Sequence, residues 1–271
     1  MPKKKTSHAA PKSKLPRAGR HIKKYGWNPD LPDNRDHLYA APPHLLLNLP
    51  TSVDLRSQCP PVYDQGQLGS CTANSIAGAI QFEQIKQNLS PTFVPSRLFI
   101  YYNERVIEGD VNTDGGAQIR DGIKSVGLQG DCPETQWPYV ISKFKTKPPA
   151  ACYQNALHYK VVSYQAVAQD PNQMKGCLAS GYPFVFGFTV YESFESPQVA
   201  KTGIVPMPAS GEKSVGGHAV MCVGYDDSTQ CFIVRNSWGP GWGLAGYFMI
   251  PYAYLIQPNL ASDFWTIRVV A

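Results

Sequence analysis

A chain of 271 residues, 43% apolar and 17% charged, can bury a sizeable core as one domain or two packed lobes, which excludes an intrinsically disordered protein. Its net charge of +5 is uneven: residues 1–24 hold nine bases and no acid, which leaves sixteen bases against twenty acids, a balance of −4, for residues 25–271. The body is mildly acidic, so a nucleic-acid role would rest on the basic arm alone, and no apolar run approaches the roughly 20 residues of a membrane-spanning helix.

Residues 1–24 read as a solvated, disordered arm, whose binding role would be weak contact with nucleic acid or an anionic surface. No apolar stretch of about 7–15 residues follows it, so no secretory leader is expected, and an intracellular or particle-packaged protein is favoured. Residues 25–50 are rich in Pro and Asp, too irregular for a helix, yet Trp27, Leu31, Leu38 and Tyr39 give the segment something to dock with. Helices are expected over about 70–88, with Ser70 as cap and Ser90-Pro91 as stop, after Ser96, over about 117–126 up to Gly127, and after Asp170-Pro171. Strands rich in Val, Ile, Phe and Tyr are expected over 183–190, 217–225, 231–236, 246–250 and 264–270. Helices first and strands later predict an α+β protein of two lobes, about 60–165 and 166–262.

Cysteines at Cys59, Cys71, Cys132, Cys152, Cys177, Cys222 and Cys231 make an odd count, which leaves at least one free thiol under any full pairing. Cys71 stands at the start of the first long helix, where unpaired N–H groups and the helix dipole favour a thiolate. Two glycines precede it, and the Gln65 amide six residues upstream can serve as an oxyanion donor beside the Cys71 backbone N–H. Of six histidines only His218 opens a strongly apolar strand; alone it would read as a packed core residue. Asn236, eighteen residues on, can orient its imidazole, and Trp238 can shield that hydrogen bond from water.

From about Val53 to the C-terminus the chain resembles the papain family of cysteine peptidases. The likeness rests on five ordered blocks: Ser52-Val-Asp-Leu-Arg, Val62 to Cys71, Asp114-Gly-Gly, Gly217-His-Ala-Val with its Val-Gly-Tyr, and Asn236-Ser-Trp-Gly-Pro-Gly-Trp-Gly. The resemblance implies a helical lobe and an antiparallel β-barrel lobe with the active-site cleft between them. It implies Cys71 as nucleophile, His218 as base, Asn236 as orienting amide and Gln65 as oxyanion donor, with no cofactor or metal. Gly115 and Gly116 would pair with an extended peptide, Trp238 would cover the Asn–His bond, Trp242 would flank the primed side, and residues around 259–262 would floor the specificity pocket. Two positions depart from the family: Thr72 replaces an aromatic residue after the nucleophile and Leu68 a cysteine three before it, so no disulfide follows by analogy, though Cys132 with Cys152 is conceivable. The variant blocks are similar to those of leaderless bacterial and large-DNA-virus members.

The implied activity is endopeptidase action on peptide or protein substrates, since no His-His pair is available to block the primed side. Residues 25–50 are expected to act as an intramolecular inhibitor in a zymogen, with a structural strap as the alternative. The rival functions are a catalytically silent binding protein of this fold and a thiol amidase or transpeptidase.

Overall fold

A computed structural model describes residues 25–271; the basic arm, residues 1–24, lies outside it. Three helices pack together on one side. The central helix, α2 (Cys71–Lys86), is buried on nearly every face. The Ser96 side chain accepts from Phe99 N–H to start α3 (Arg97–Glu108), and Gly109 ends it in the left-handed region. The third of this group is α4 (Ile119–Gln129); the short α1 (Pro43–Leu47) packs instead against the later helix Pro171–Ala179. Ser70 does not cap α2 as expected: its hydroxyl bonds the Tyr139 hydroxyl and the Asn74 amide instead, so the first N–H groups of the helix receive no side-chain cap.

The chain then passes through α5 (Ala150–Ala156), β2 (Val161–Ala166) and α6 (Pro171–Ala179), where Asp170 caps the N–H groups of Asn172 and Gln173. There follow β3 (Phe184–Tyr191), α7 (Pro197–Thr202), β4 (Ser214–Asp226), β5 (Cys231–Arg235), β6 (Tyr247–Pro251), α8 (Tyr252–Leu255) and β7 (Ala261–Val270). The sheet runs in the order β2-β7-β3-β4-β5-β6, every neighbour antiparallel, and β1 (Ser52–Asp54) pairs with β4. Leaving β1 aside, its strands fall between Val161 and Val270. Phe184, Phe186, Phe188, Phe232 and Phe248 are fully buried and form much of its core. The protein is α+β with two lobes, and the N-terminus of α2 meets β4 between them. Among the described residues no helix is long and apolar enough to cross a membrane. All seven cysteines are free; the Cys132 and Cys152 thiols are neighbours and unbridged.

The pairing of β3 with β7 is irregular at one point. Val185 faces Trp265 and Gly187 faces Ser262, so two steps along β3 answer three along β7. The extra residue is a β-bulge around Asp263, whose φ of 60° lies in the left-handed region.

Candidate active site

Cys71 opens α2 and is fully buried; His218 lies mid-way along β4 and Asn236 just beyond β5. His218 Nε2 is 2.8 Å from Asn236 Oδ1. That same oxygen accepts the Ser237 backbone N–H at 2.8 Å, which fixes the amide orientation, because only oxygen can accept there. Nε2 must therefore carry the imidazole proton, leaving Nδ1 as the basic nitrogen, and Nδ1 has no hydrogen-bond partner among the described residues. Trp238 stacks on His218 with ring centroids 5.1 Å apart and an interplanar angle of 27°, sealing the Asn–His bond. Trp242 meets Trp238 edge-on at 5.0 Å.

Gln65 is fully buried. Its Nε2 donates to Leu68 O at 3.0 Å and its Oε1 accepts from Ser237 Oγ at 2.6 Å, so the amide is held at both ends with one N–H to spare. Ser237 escaped sequence reasoning although it sits in a quoted block, because its partner is 172 residues away. Arg97 steadies the same loop. It donates to Asp64 O and Asn74 Oδ1, both at 3.1 Å, pairs with Glu134 at 2.8 Å, and lies over the Tyr63 and Tyr139 rings. Thr72, where the family has an aromatic, donates at 2.6 Å to Glu104, a fully buried carboxyl that burial holds well above the ordinary range.

A length of the chain itself fills the cleft. Trp27 pairs with Ala117: Ala117 N–H donates to Gly26 O at 2.8 Å and Asn28 N–H to Ala117 O at 3.0 Å, while Trp27 N–H donates to Gly217 O at 2.9 Å. Gly26 lies so close that a Cβ there would overlap the Gly69 carbonyl, and a Cβ on Gly116 (φ 80°) would overlap Gly26. Asn28 Nδ2 also donates to Gly115 O. Tyr25 packs edge-on to His218 at 5.7 Å, and its hydroxyl donates to Glu195. Leu31, expected to dock, is 70% exposed.

This cover sets the electrostatics. Burial pushes the Cys71 thiol up to about 12, only partly offset by nearby backbone at Ala219, Gly26 and Thr72. Burial likewise pulls His218 down to about 4, against the pull of its Asn236 hydrogen bond. Both shifts favour the uncharged forms, so the covered site holds a neutral thiol and a neutral imidazole.

The fold and this constellation define a thiol peptidase of the papain class. Residues 49–260 match the family model described as papain family cysteine protease. The chain is 52% identical over 215 residues to an uncharacterized peptidase C1-like protein of Acanthamoeba polyphaga mimivirus, covering 76% of this chain and 69% of the viral protein. It is 30% identical to human cathepsin L2 over 76% of this chain and 62% of that protein. The structure of xylellain, a cysteine protease from Xylella fastidiosa, superposes with a TM-score of 0.87 at 46% identity, over 97% of this chain and 100% of the other. A digestive procathepsin L 3 of Tenebrio molitor, at 22% identity and a TM-score of 0.67 over 86% of this chain and 73% of its own, shares the fold. The chain belongs to the papain family of cysteine proteases and is a cysteine-type endopeptidase.

Proposed function

We propose that this chain is a latent endopeptidase that works through a Cys71 thiolate and a His218 imidazolium, with residues 25–36 as its own inhibitor. The observation that carries the reading is the seat of Gly26, pressed between the Gly69 carbonyl and Gly116 with its backbone against the Cys71 thiol. When the segment leaves, water returns to the cleft and the burial that keeps both groups neutral is relieved. The Cys71 proton then passes to His218 Nδ1, and the thiolate attacks the substrate carbonyl carbon. The spare Gln65 N–H and the Cys71 backbone N–H serve the oxyanion. Collapse breaks the C–N bond, the leaving amine takes the proton from His218, and water, deprotonated by the same imidazole, hydrolyses the thioester.

Two measurements test this. Cys71→Ala should abolish peptide hydrolysis in a protein freed of its segment, while no other single cysteine change does so; turnover by Cys71→Ala overturns the assignment, and failure of an irreversible thiol inhibitor to label Cys71 favours a silent binding protein. Gln65→Ala should lower kcat by roughly 10²-fold with little change in KM, because an oxyanion donor acts in the transition state. Ser237→Ala should give a milder loss of the same kind by loosening the Gln65 amide.

A further inference from the structure

One phenol touches both halves of the oxyanion site. Tyr139, half-buried, donates its hydroxyl proton to Gln65 O at 2.9 Å and lies 2.5 Å from Ser70 Oγ. A carbonyl can only accept, so the Tyr139 proton is committed to Gln65 and the Ser70 hydroxyl must donate to Tyr139. Burial pushes the phenol up to about 12, so it keeps that proton at ordinary pH. The direction of the bonds behind it follows. Arg97 Nη1 donates to Asn74 Oδ1 at 3.1 Å, which fixes the orientation of that amide. Asn74 Nδ2 then donates to Ser70 O at 2.9 Å and to Ser70 Oγ at 3.1 Å, and the Asn74 N–H reaches Ser70 O at 3.0 Å. Ser70 C=O and Cys71 N–H belong to one rigid peptide unit, so gripping the carbonyl aims the N–H. The other end closes in the same way. Arg97 Nη1 also donates to Asp64 O at 3.1 Å, on the peptide unit that carries the Gln65 N–H, and that N–H donates to Ser237 O at 2.9 Å. Hydrogen bonds thus run head to tail from the guanidinium to Gln65 O, and bonds in such a series polarise one another.

We propose that Tyr139 is a positioning residue for peptide hydrolysis: its single hydroxyl sets the spacing between the two oxyanion donors, the Gln65 side-chain amide and the Cys71 backbone N–H. This rests on the latent-endopeptidase reading above and on the roles it gives those two groups. Gln65 comes from a loop and Cys71 from α2, yet both donors must lie about 2.7–3.1 Å from one oxygen that is charged only in the transition state. Tyr139 acts through the groups it holds. Arg97, 4.1 Å over its ring, holds the ring itself in place. Tyr139→Phe removes one oxygen atom, keeps the ring under Arg97, and takes from Gln65 O and from the Ser70 hydroxyl the partner they share.

The test uses the full chain carrying Gly26→Ala as parent, with active sites counted by an irreversible thiol inhibitor. Tyr139→Phe in that parent should lower kcat about tenfold while KM stays within about twofold. A peptide aldehyde, whose adduct with Cys71 carries an oxyanion, should bind about tenfold more weakly. Iodoacetamide, which alkylates the thiolate at a saturated carbon and forms no oxyanion, should label Cys71 at the parental rate; a general loosening of the site would slow both. When Gln65 is already Ala, adding Tyr139→Phe should cost less than about threefold, because one of the two donors it aligns is gone. Ser70→Ala cuts the series one bond earlier and should give the same split at smaller size, and it carries the test if Tyr139→Phe does not fold. An unchanged kcat overturns the proposal, as does a loss in iodoacetamide labelling as large as the loss in aldehyde binding, or a full repeat of the kcat loss without Gln65. No labelling and no cleavage by the Gly26→Ala parent overturns the endopeptidase reading itself, and this inference with it.

Discussion

The Pro-rich stretch before the peptidase core divides into two halves that do different things. Residues 25–36 lie in the cleft and bond to both of its sides, at Ala117 and at Gly217. Residues 37–50 lie on the back of the protein. There Tyr39 N–H donates to Ala166 O at 2.7 Å, Ala166 N–H to His37 O at 2.8 Å, and Ala41 N–H to Gln173 Oε1 at 2.8 Å. Tyr39 is buried, with its hydroxyl 3.2 Å from Ser180 Oγ and Arg268 over its ring, whereas the adjacent Leu38 is 68% exposed. The proposed plug and the strap share a composition. What separates them is the partner surface: the plug meets glycine-walled backbone shaped for an extended chain, and the strap meets the edge of β2 and the flank of α6.

The contrast breaks first at Gly26. Gly26→Ala should raise peptidase activity of the full chain on the order of 100-fold, about 3 kcal/mol of lost docking, because its methyl would overlap the Gly69 carbonyl and neither backbone can give way cheaply. Activity unchanged in a variant with parental Tm would show that the plug does not control access.

Tyr39→Ala should do the opposite. Loss of a buried ring should lower stability by about 3 kcal/mol, read as a fall in Tm, while the latency of the remaining folded protein is kept. A variant that gains activity as much as Gly26→Ala would erase the distinction between the halves.

The smallest effect sharpens the comparison through pH. Burial, with the Asp263 carboxylate beside it, holds Asp30 up to about 7 in the docked plug. A carboxyl raised by docking takes up a proton, so its contribution is complete below about 4 and is lost as pH rises towards 7. His218 works in the other sense. Docking lowers it from its ordinary 6.5 to about 4, so the imidazole must shed a proton to be covered, and covering weakens as pH falls through that window. The two oppose each other between about 4 and 7. Asp30→Asn should leave the His218 contribution alone and give a plug that releases on acidification, seen as falling protection of Cys71 from a thiol reagent relative to the parent between pH 6.5 and 4. Identical pH profiles for variant and parent would remove Asp30 from the latch. The Arg120–Asp36 pair and the Tyr25–Glu195 bond also hold the plug, and neither is altered by the substitution.

Much of this architecture was legible because local chemistry marks it. Ser96 before α3, Asp170-Pro171 before α6 and the Val/Phe-rich runs of β3 to β5 declare their elements within a few residues. The family likeness rests on blocks that are contiguous in sequence. What was hidden is long-range. Ser70 has the chemistry of a cap, but Tyr139, 69 residues later, claims its hydroxyl. Val161–Ala166 gives little sign of being a strand until β7 arrives to pair with it. A one-residue bulge, invisible to alternation patterns, turns Asp263 towards Trp27. Gly26 looked like an ordinary glycine beside a tryptophan, since nothing in its neighbourhood announces the carbonyl it must approach.

The strap has a consequence for how release would work. Pinned at Tyr39 and Ala41, it holds the root of the plug within reach of the cleft, so the plug faces its site at an effective concentration in the millimolar range whatever the protein concentration. A single cut between the halves changes that arithmetic without touching one contact in the cleft. The freed fragment, residues 1–36, would then bind as any separate peptide does, and dilution would carry it away. Such a cut acts as a one-way valve, and the same peptide added back should inhibit only near the concentration its tether once supplied.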